Sequence, residues 1–369
     1  MSSITETILR RYGIAGSVVS EEELHGGNVN RTYRVSVRDG ARLIKYLVQK
    51  LNPEAVRQPR TMLRNMVVVT DHLFRKGIRT AKLYPVGVSG ERFLEVRRQG
   101  HATEYWRVEE YLDAADVSED APGVLYEMAR AFGQFDAALF DLPANRLKGS
   151  AKGFHDTHER FRRLWRAAEE DVCGRTASVR AELIALKTLE EEACEISLRY
   201  AAGEFPVRVT HNDTKFNNVL FTETEPPYGA VVIDFDTVME GMIAYDFADS
   251  VRSTAKIVSG TADEPVARID TEKFRDIAKG YLTETRSMLS DAEIAAMAPC
   301  TLAVTAELAA RYLADYLAGD RYFTIAEPLQ NLRKARLNLC FAYDIRKNMQ
   351  NLRAIIDEIA SSENDDKQR

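Results

Sequence analysis

The sequence predicts an α+β protein in which a small β-rich N-terminal lobe precedes a larger, mainly helical C-terminal lobe. Strand and hairpin signals concentrate in roughly the first hundred residues, whereas long helical patterns begin near residue 120. Strand signals return only in a short central stretch that ends near residue 235. We therefore place the domain boundary between residues 1–112 and residues 113–369.

The N-terminal lobe is predicted from a hairpin, one helix and two further strands. The run RTYRVSVRDGARLIKYLVQKL reads as two strands joined by a turn at Asp39 and Gly40. The run PRTMLRNMVVVTDHLFRKG has one apolar helical stripe, with Pro59 suited to its first turn and Gly77 to its end. Two more strand-like runs follow, AKLYPVGV and EYWRVEEYL.

The C-terminal lobe is predicted to be a helical assembly interrupted by short strands. Helical patterns occupy LYEMARAFGQFDAALFDL, then a helical hairpin broken near Gly174, then the region around LAVTAELAARYLADYLAGD. Asp156 suits the first cap of that hairpin because Glu159 follows three residues later. The strand signals PVRVT, NVLF and GAVVIDF lie between these helical regions.

Composition excludes several classes of protein. The 369 residues carry 50 Lys and Arg against 56 Asp and Glu, a net charge of −6, which speaks against nonspecific nucleic-acid binding. No run reaches the ~18 apolar residues of a membrane span, and no signal peptide opens the chain. The four cysteines form no metal-binding spacing, as expected of reduced thiols in a cytoplasmic protein. Nothing in the sequence indicates an oligomeric state.

A glycine pair lies directly before the first strand of the hairpin. In HGGNVNRTYRV, Gly26 and Gly27 would let main-chain amides approach phosphate oxygens closely. The pattern is neither a P-loop nor a dinucleotide-binding fingerprint, and an ordinary tight turn is the alternative interpretation.

The central stretch VRVTHNDTKFNNVLF carries the chemistry of phosphoryl transfer. Asp213 can accept a hydroxyl proton, Lys215 can neutralise a phosphoryl group, and Asn218 can hold Mg²⁺. Downstream, VVIDFDT ends an apolar strand with Asp234 and Asp236, whose i and i+2 spacing points both carboxylates the same way. Each half alone could be a polar turn, but the two together predict a phosphate-transfer loop and its metal ligands.

HNDTKFNN, VVIDFDT and the later YDFAD resemble the aminoglycoside phosphotransferase and choline kinase superfamily, relatives of protein kinases. More narrowly, GGNVNRTYRV, YLVQKLNP, GFHDTHERF and RYLADYLAGDRYF resemble the N-acetylhexosamine 1-kinase branch, over residues 24–323. The resemblance implies a protein-kinase-like bilobal fold with ATP between the lobes. It also implies an ATP- and Mg²⁺-dependent enzyme that phosphorylates the anomeric hydroxyl of an N-acetylhexosamine or related sugar.

The resemblance assigns roles to individual residues. Asp213 would be the catalytic base, Asn218 and Asp234 the metal ligands, and His211 a brace for the loop, with Asp246 in YDFAD bracing it too. The positions implied to contact the nucleotide are Gly26, Gly27, Asn28, Asn30, Thr32, Lys50, Glu110 and Leu112.

Two assignments stay open at this stage. Lys45 competes with Lys50 for the phosphates because strand register cannot be fixed from one sequence, and the following helix offers no Glu as the usual partner. Arg311 and Tyr322 match positions that hold the sugar, although Glu307, Arg311 and Asp315 could equally form an exposed salt-bridge ladder.

Two other functions remain as alternatives. A kinase for an aminoglycoside or amino alcohol would use the same chemistry on a cationic acceptor. A nucleotide-binding pseudokinase is favoured only by the missing helix glutamate.

Overall fold

The computed structural model describes residues 3–24, 30–52, 58–97, 99–100, 102–148 and 154–368. Its chain forms two compact units. The first, here called the sheet unit, comprises Met1–Ala115, Asn145–Ser150 and Ile233–Val238. The second, the helical unit, comprises Asp116–Ala144, Ala151–Val232 and Met239–Arg369.

The described part of the sheet unit contains five strands and two α-helices. The strands form one antiparallel sheet in the order β1-β2-β3-β5-β4. In chain order the elements are α1 (Ile4–Arg11), β1 (Ser17–Leu24), β2 (Arg31–Asp39), β3 (Arg42–Lys50), α2 (Pro59–Arg75), β4 (Leu94–Val96) and β5 (Glu104–Glu110).

The two faces of this sheet differ in polarity because side chains alternate along each strand. One face, packed against α1, is apolar and includes Val35, Val48 and Val108, all fully buried. The other carries polar side chains in register, with Thr32 opposite Gln49 and Gln49 opposite Arg107. This second face, here called the polar face, is the only part of the sheet that presents clustered charges near its centre among the described residues.

Most local predictions for the sheet unit are confirmed, and one is wrong. The hairpin turns at Asp39 and Gly40, and Pro59 opens α2, as expected. Gly40 has a φ of +59°, a conformation that a glycine adopts without strain. The run AKLYPVGV does not form a strand, because only Leu83 makes a single bridge, to Glu109.

The helical unit is built from seven helices and three two-stranded ribbons within the described residues. Its helices are α3 (Val124–Leu139), α4 (Thr157–Glu170), α5 (Arg180–Ala201), α6 (Ile243–Thr254), α7 (Thr271–Thr285), α8 (Asp291–Leu317) and α9 (Gln330–Gln368). The ribbons pair β6 (Arg208–Thr210) with β9 (Met239–Gly241), β7 (Val219–Phe221) with β8 (Ala230–Val232), and β10 (Lys256–Gly260) with β11 (Pro265–Ile269).

Helix α8 forms the centre of the helical unit and packs against α4, α5, α6 and α9. It is the one described helix with the length and apolar composition to cross a membrane, but 78% of its most apolar window is buried inside the protein. Helices α3 and α7 approach each other closely at Gly280, where an added Cβ would lie 2.1 Å from the carbonyl oxygen of Tyr126. This close packing fixes the side chains of α3, among them the rings of Phe132 and Phe135 that contact His211.

Candidate active site

The predicted phosphate-transfer loop connects β6 to β7 in the helical unit. A turn of 3₁₀ helix, Phe216–Asn218, closes the loop before β7 begins. Asn212 has a φ of 66°, a left-handed conformation that asparagine tolerates better than most residues. Thr210 supports this conformation, since its hydroxyl donates to Asn212 Oδ1 and its carbonyl accepts from Asn212 Nδ2. The loop therefore has one defined shape that its own sequence specifies.

Asp213 lies at the centre of this loop with two donors on its carboxylate. Lys215 Nζ donates to Asp213 Oδ2 over 2.7 Å, and Asn218 Nδ2 donates to the same oxygen over 3.0 Å. Asn218 also donates to the main-chain carbonyl of Asp213 over 2.7 Å, which fixes the two residues relative to each other. The Asp213 side chain is 28% exposed, so it remains accessible from outside the protein. The three residues singled out in the sequence thus form one cluster.

Two buried carboxylates of helix α6 hold the loop by accepting hydrogen bonds from its main chain. Asp246, which is fully buried, accepts from the main-chain N–H groups of His211 over 2.6 Å and Asn212 over 2.7 Å. Asp249 accepts from the N–H of Thr214 over 3.0 Å. Although burial opposes its charge, Arg252 holds the pKa of Asp249 below its usual range. His211 is itself buried, and its Nδ1 accepts a hydrogen bond from the main-chain N–H of Asp213.

A second carboxyl group lies beside Asp246. Tyr281 donates its hydroxyl to Asp136 Oδ2, while Asp136 Oδ1 is buried and receives no hydrogen bond from any described residue. Burial, and after it the charge of Asp246, raises the pKa of Asp136 well above its usual value. Both observations are explained if Asp136 is protonated and donates a hydrogen bond to Asp246.

The other two predicted metal ligands belong to the sheet unit. Asp234 has a φ of 65° and opens a 3₁₀ turn, Phe235–Thr237. The carboxylate of Asp236 is occupied on both oxygens, because Asn30 donates to Oδ2 over 2.8 Å and Arg107 donates to Oδ1. Asp236 is therefore held by neighbouring side chains in this conformation.

The two candidate lysines lie on different faces of the sheet. Lys50 shares the α1 face, where its Nζ lies 2.6 Å from Glu104 and over the ring of Trp106. Lys45 lies on the polar face at the end near residue 113, where it pairs with Asp113. On the polar face, Gln49 near the end of β3 lies opposite Thr32 of β2 and Arg107 of β5.

The remaining predicted nucleotide positions are only partly described. Gly26, Gly27 and Asn28 lie outside the described residues. Thr32 accepts from Gln49 over 3.0 Å. The Asn30 side chain contacts Asp236 and also accepts from the N–H of Asn52 over 3.1 Å.

The predicted hinge follows β5. Two N–H groups of Arg79 hold the carboxylate of Glu110 and lower its pKa. The N–H of Glu110 donates to the carbonyl of Lys82 over 2.8 Å. Leu112 makes no main-chain hydrogen bond to another described residue.

The predicted sugar contacts lie on α8 and on the segment that follows it. The exposed-ladder alternative is wrong, because Glu307 is 1% exposed and Asp315 is 7% exposed. Asp315 instead accepts from the main-chain N–H groups of the segment that carries Tyr322. Arg311 lies over the rings of Phe323 and Tyr322, and its guanidinium donates no hydrogen bond within the described structure.

A buried polar cluster next to Arg311 was not predicted from the sequence. Glu307 Oε1 lies 3.7 Å from His155, 3.8 Å from Arg160 and 3.9 Å from Arg311. Both ring nitrogens of His155 and the Nε of Arg160 are buried without a hydrogen-bond partner among the described residues. Although burial opposes its charge, His155 and the two arginines hold the pKa of Glu307 below its usual range. The prediction that Asp156 caps α4 is confirmed, since it accepts from Glu159 N–H over 2.9 Å.

Only the GFHDTHERF motif pointed towards this cluster. Helical periodicity places Glu307 and Arg311 on one face of α8 but cannot show that His155 and Arg160 of another segment lie against that face.

Residues 20–280 match the phosphotransferase enzyme family known as APH, and the chain belongs to this family. Its family membership makes it a phosphotransferase.

Solved structures show the same fold. The microcompartment-associated aminopropanol kinase is 17% identical, with a TM-score of 0.65 over 95% of this chain and 98% of its own. An amicoumacin kinase in complex with AMP-PNP and Ca²⁺ is 14% identical, with a TM-score of 0.61 over 95% and 94%. An aminoglycoside phosphotransferase from Alicyclobacillus acidocaldarius is 16% identical, with a TM-score of 0.61 over 97% and 98%. The predicted α+β, protein-kinase-like fold class is therefore confirmed.

Proposed function

We propose that this protein is an ATP- and Mg²⁺-dependent kinase that phosphorylates the anomeric hydroxyl of an N-acetylhexosamine or a related sugar. The observation that carries this proposal is the Asp213 carboxylate, which is accessible and accepts hydrogen bonds from Lys215 and Asn218. Its loop is held by Asp246, which accepts from two main-chain N–H groups of that loop. The family supports phosphoryl transfer, and the sugar is our own assignment.

The residues present fit the nucleotide and its metal ion. Asn218 directs its N–H₂ group towards Asp213, which leaves its amide oxygen without a partner in the described structure and suited to a hard cation. No three His, Cys, Asp or Glu side chains of the described residues cluster tightly enough to hold a metal alone. A Mg²⁺ ion here would need oxygen atoms from the nucleotide phosphates, as is usual for this ion in kinases.

Phosphoryl transfer would divide its work among few side chains. MgATP supplies the transferable phosphoryl group, and Asn218 and Asp234 would hold the metal ion. Asp213 accepts the proton of the acceptor hydroxyl and orients its oxygen for in-line attack. Lys215, 2.7 Å from Asp213, offsets negative charge that develops on the phosphoryl oxygens.

The charges around Arg311 support a neutral acceptor over a cationic one. Two guanidinium groups, Arg160 and Arg311, share the single carboxylate of Glu307, so this cluster has no surplus negative charge. An aminoglycoside or amino alcohol would bring an ammonium group to these guanidinium groups, and such like-charge contacts are unfavourable by several kcal/mol. Guanidinium N–H groups and the Tyr322 ring suit sugar hydroxyls and the apolar face of a sugar ring.

We expect the purified protein to release ADP with N-acetylated hexosamines at a kcat/KM at least about 100-fold above that with choline, aminopropanol or kanamycin. A panel of these acceptors, read by ADP release, measures this directly. Phosphorus–proton coupling in the NMR spectrum of the product identifies the phosphorylated carbon. Turnover on the cationic acceptors with none on the sugars would establish the amino-alcohol or aminoglycoside alternative, which the functions of the structural neighbours favour.

Replacement of Arg311 by alanine tests the acceptor site separately. We expect the acceptor KM to rise roughly 10- to 100-fold, because a hydrogen bond from a charged donor contributes about 1.5–3 kcal/mol. Steady-state kinetics would show an unchanged KM for ATP. Arg321→Ala is the matched control, since this exposed arginine lies in the segment that follows α8 and its replacement should leave both KM values within about 2-fold. Equal effects of the two substitutions would remove Arg311 from the acceptor site.

We also propose that the protein works in the cytoplasm. All four cysteines are free in the structure, which supports a reducing compartment.

A further inference from the structure

Among its described residues, the sheet unit lacks the ion pair that kinases of this kind use to hold phosphates. That pair joins a lysine of the third strand to a glutamate of the following helix. Here α2 contains no glutamate, and Lys50 lies on the α1 face in an ion pair with Glu104. On the polar face, where Met66 of α2 contacts Arg107, the residue that β3 places opposite Arg107 is Gln49.

A buried arginine lies directly beside Gln49. Arg107 of β5 is 2% exposed, and its Nε donates to Gln49 Oε1 over 2.7 Å. The same guanidinium lies 2.6 Å from Glu109 and donates through its NH1 group to Asp236. It also contacts the Sδ of Met66, so β3, β5, α2 and the 235–237 turn meet at one side chain.

Arg107 supplies a positive charge in a region that is rich in carboxyl groups. Three carboxyl groups, those of Glu109, Asp234 and Asp236, act on Arg107 electrostatically. Without this positive charge, the carboxylates of Glu109 and Asp234 would repel that of Asp236. The turn that follows Asp234 would then lose its ion pair with Arg107. Asn30, the first described residue after the glycine pair, is tied to the same Asp236.

We propose that Arg107 replaces the strand lysine in this chain as the positioning cation of the nucleotide site. It fixes Asp236 and its turn, and thereby sets the Asp234 carboxylate for a divalent ion on the nucleotide phosphates. This inference rests on the proposed function in that it takes the ligand to be MgATP. It requires no contact between Arg107 and the acceptor.

The test measures nucleotide affinity in Arg107→Met, by displacement of a fluorescent ATP analogue in the presence of Mg²⁺. We expect binding of ATP and ADP to weaken roughly 10- to 100-fold, the usual effect of losing a residue that orients a metal ligand. Binding of adenosine, which lacks phosphates, should stay within about 2-fold. Chelation of Mg²⁺ by EDTA should largely remove the difference between the variant and the wild type. Arg60→Met is the matched control, because Arg60 is an exposed arginine of the same unit in an ion pair with Glu95.

A lysine introduced on the neighbouring strand provides a rescue that a purely structural role would not show. In the double variant Gln49→Lys with Arg107→Met, we expect ATP affinity to recover at least 3-fold over Arg107→Met alone. Should the single variant not fold, Arg107→Lys retains the charge but not the fork of donors, and is expected to lose ATP affinity with adenosine binding intact.

Three results would overturn the proposal: an unchanged ATP affinity in Arg107→Met, an equal loss of ATP and adenosine binding, or the absence of rescue by Gln49→Lys. Failure of the proposed function looks different, since a wild-type protein that binds MgATP and depends on Arg107 yet phosphorylates no sugar would leave this inference intact.

Discussion

Asp213→Asn is expected to lose roughly 10²- to 10⁴-fold in kcat, the usual contribution of a general base, while it binds MgATP with an affinity within about 3-fold of wild type. Asparagine has nearly the same shape and can still accept from Lys215 and Asn218, which both donate to this side chain in the wild type. It cannot take a proton from the acceptor hydroxyl. A coupled assay of ADP release measures kcat, and titration with a fluorescent nucleotide measures binding.

The control for Asp213→Asn is another aspartate of the helical unit in an ion pair. Asp263 pairs with Arg333 over 2.9 Å at the surface, so Asp263→Asn should leave kcat and nucleotide affinity unchanged. If Asp213→Asn retained wild-type turnover, Asp213 would not be the base, and the proposed mechanism would fail at its first step. A loss of both turnover and thermal stability would instead mean that the carboxylate holds the loop together.

Local sequence signals predicted the parts of the fold that depend on near neighbours along the chain. Pro59 at the start of α2, the turn at Asp39 and Gly40, and the Asp156 cap each follow from interactions within about four residues. The run AKLYPVGV has strand composition, but only its Leu83 pairs, with Glu109 of β5. A strand needs a partner edge, and the sequence does not state which edge is free.

The clustering of the candidate site residues was predicted where they are close in sequence and was not predicted where they come from distant elements. Asp213, Lys215 and Asn218 lie within six positions and do form one cluster. By contrast, a shift of one residue in the register of β3 exchanges its two faces, so sequence alone could not separate the surroundings of Gln49 and Lys50.

The same limit applies to charges that become buried. In the sequence, Arg107 is one charged residue in a strand-like run, and Glu307 is one step of a helical pattern. Their roles depend on partners 129 and 150 positions away, Asp236 and Thr157 respectively. Such partners can be inferred only from the folded arrangement, because neither composition nor periodicity relates residues so far apart.

Asp246→Asn is expected to lower the free energy of unfolding of the helical unit by about 3–4 kcal/mol and to lower kcat at least about 100-fold. Asp246 accepts from two main-chain N–H groups of the loop that carries Asp213, and a buried hydrogen bond to a charged group contributes about 1.5–3 kcal/mol. An amide at this position can satisfy one of the two donors and turns its own N–H₂ group towards the other. Denaturant unfolding and steady-state kinetics measure the two effects.

Asp136→Asn is the matched variant, because it removes the neighbouring carboxyl group of the same pair. An amide can donate to Asp246 as the proton of Asp136 does, and its oxygen can still accept from Tyr281. We therefore expect a change in stability below about 1 kcal/mol and nearly normal turnover.

The pH dependence of stability distinguishes the two carboxyl groups further. Burial and the charge of Asp246 raise the pKa of Asp136, so above about pH 4 the native protein keeps a proton that the unfolded chain releases. Stability from this group is complete below the unfolded pKa and falls as the pH rises towards the native pKa. Asp136→Asn has no such proton to lose, so its stability relative to wild type should increase as the pH rises above about 4. A large loss of stability in Asp136→Asn at every pH, equal to that of Asp246→Asn, would show that Asp136 carries the negative charge of the pair.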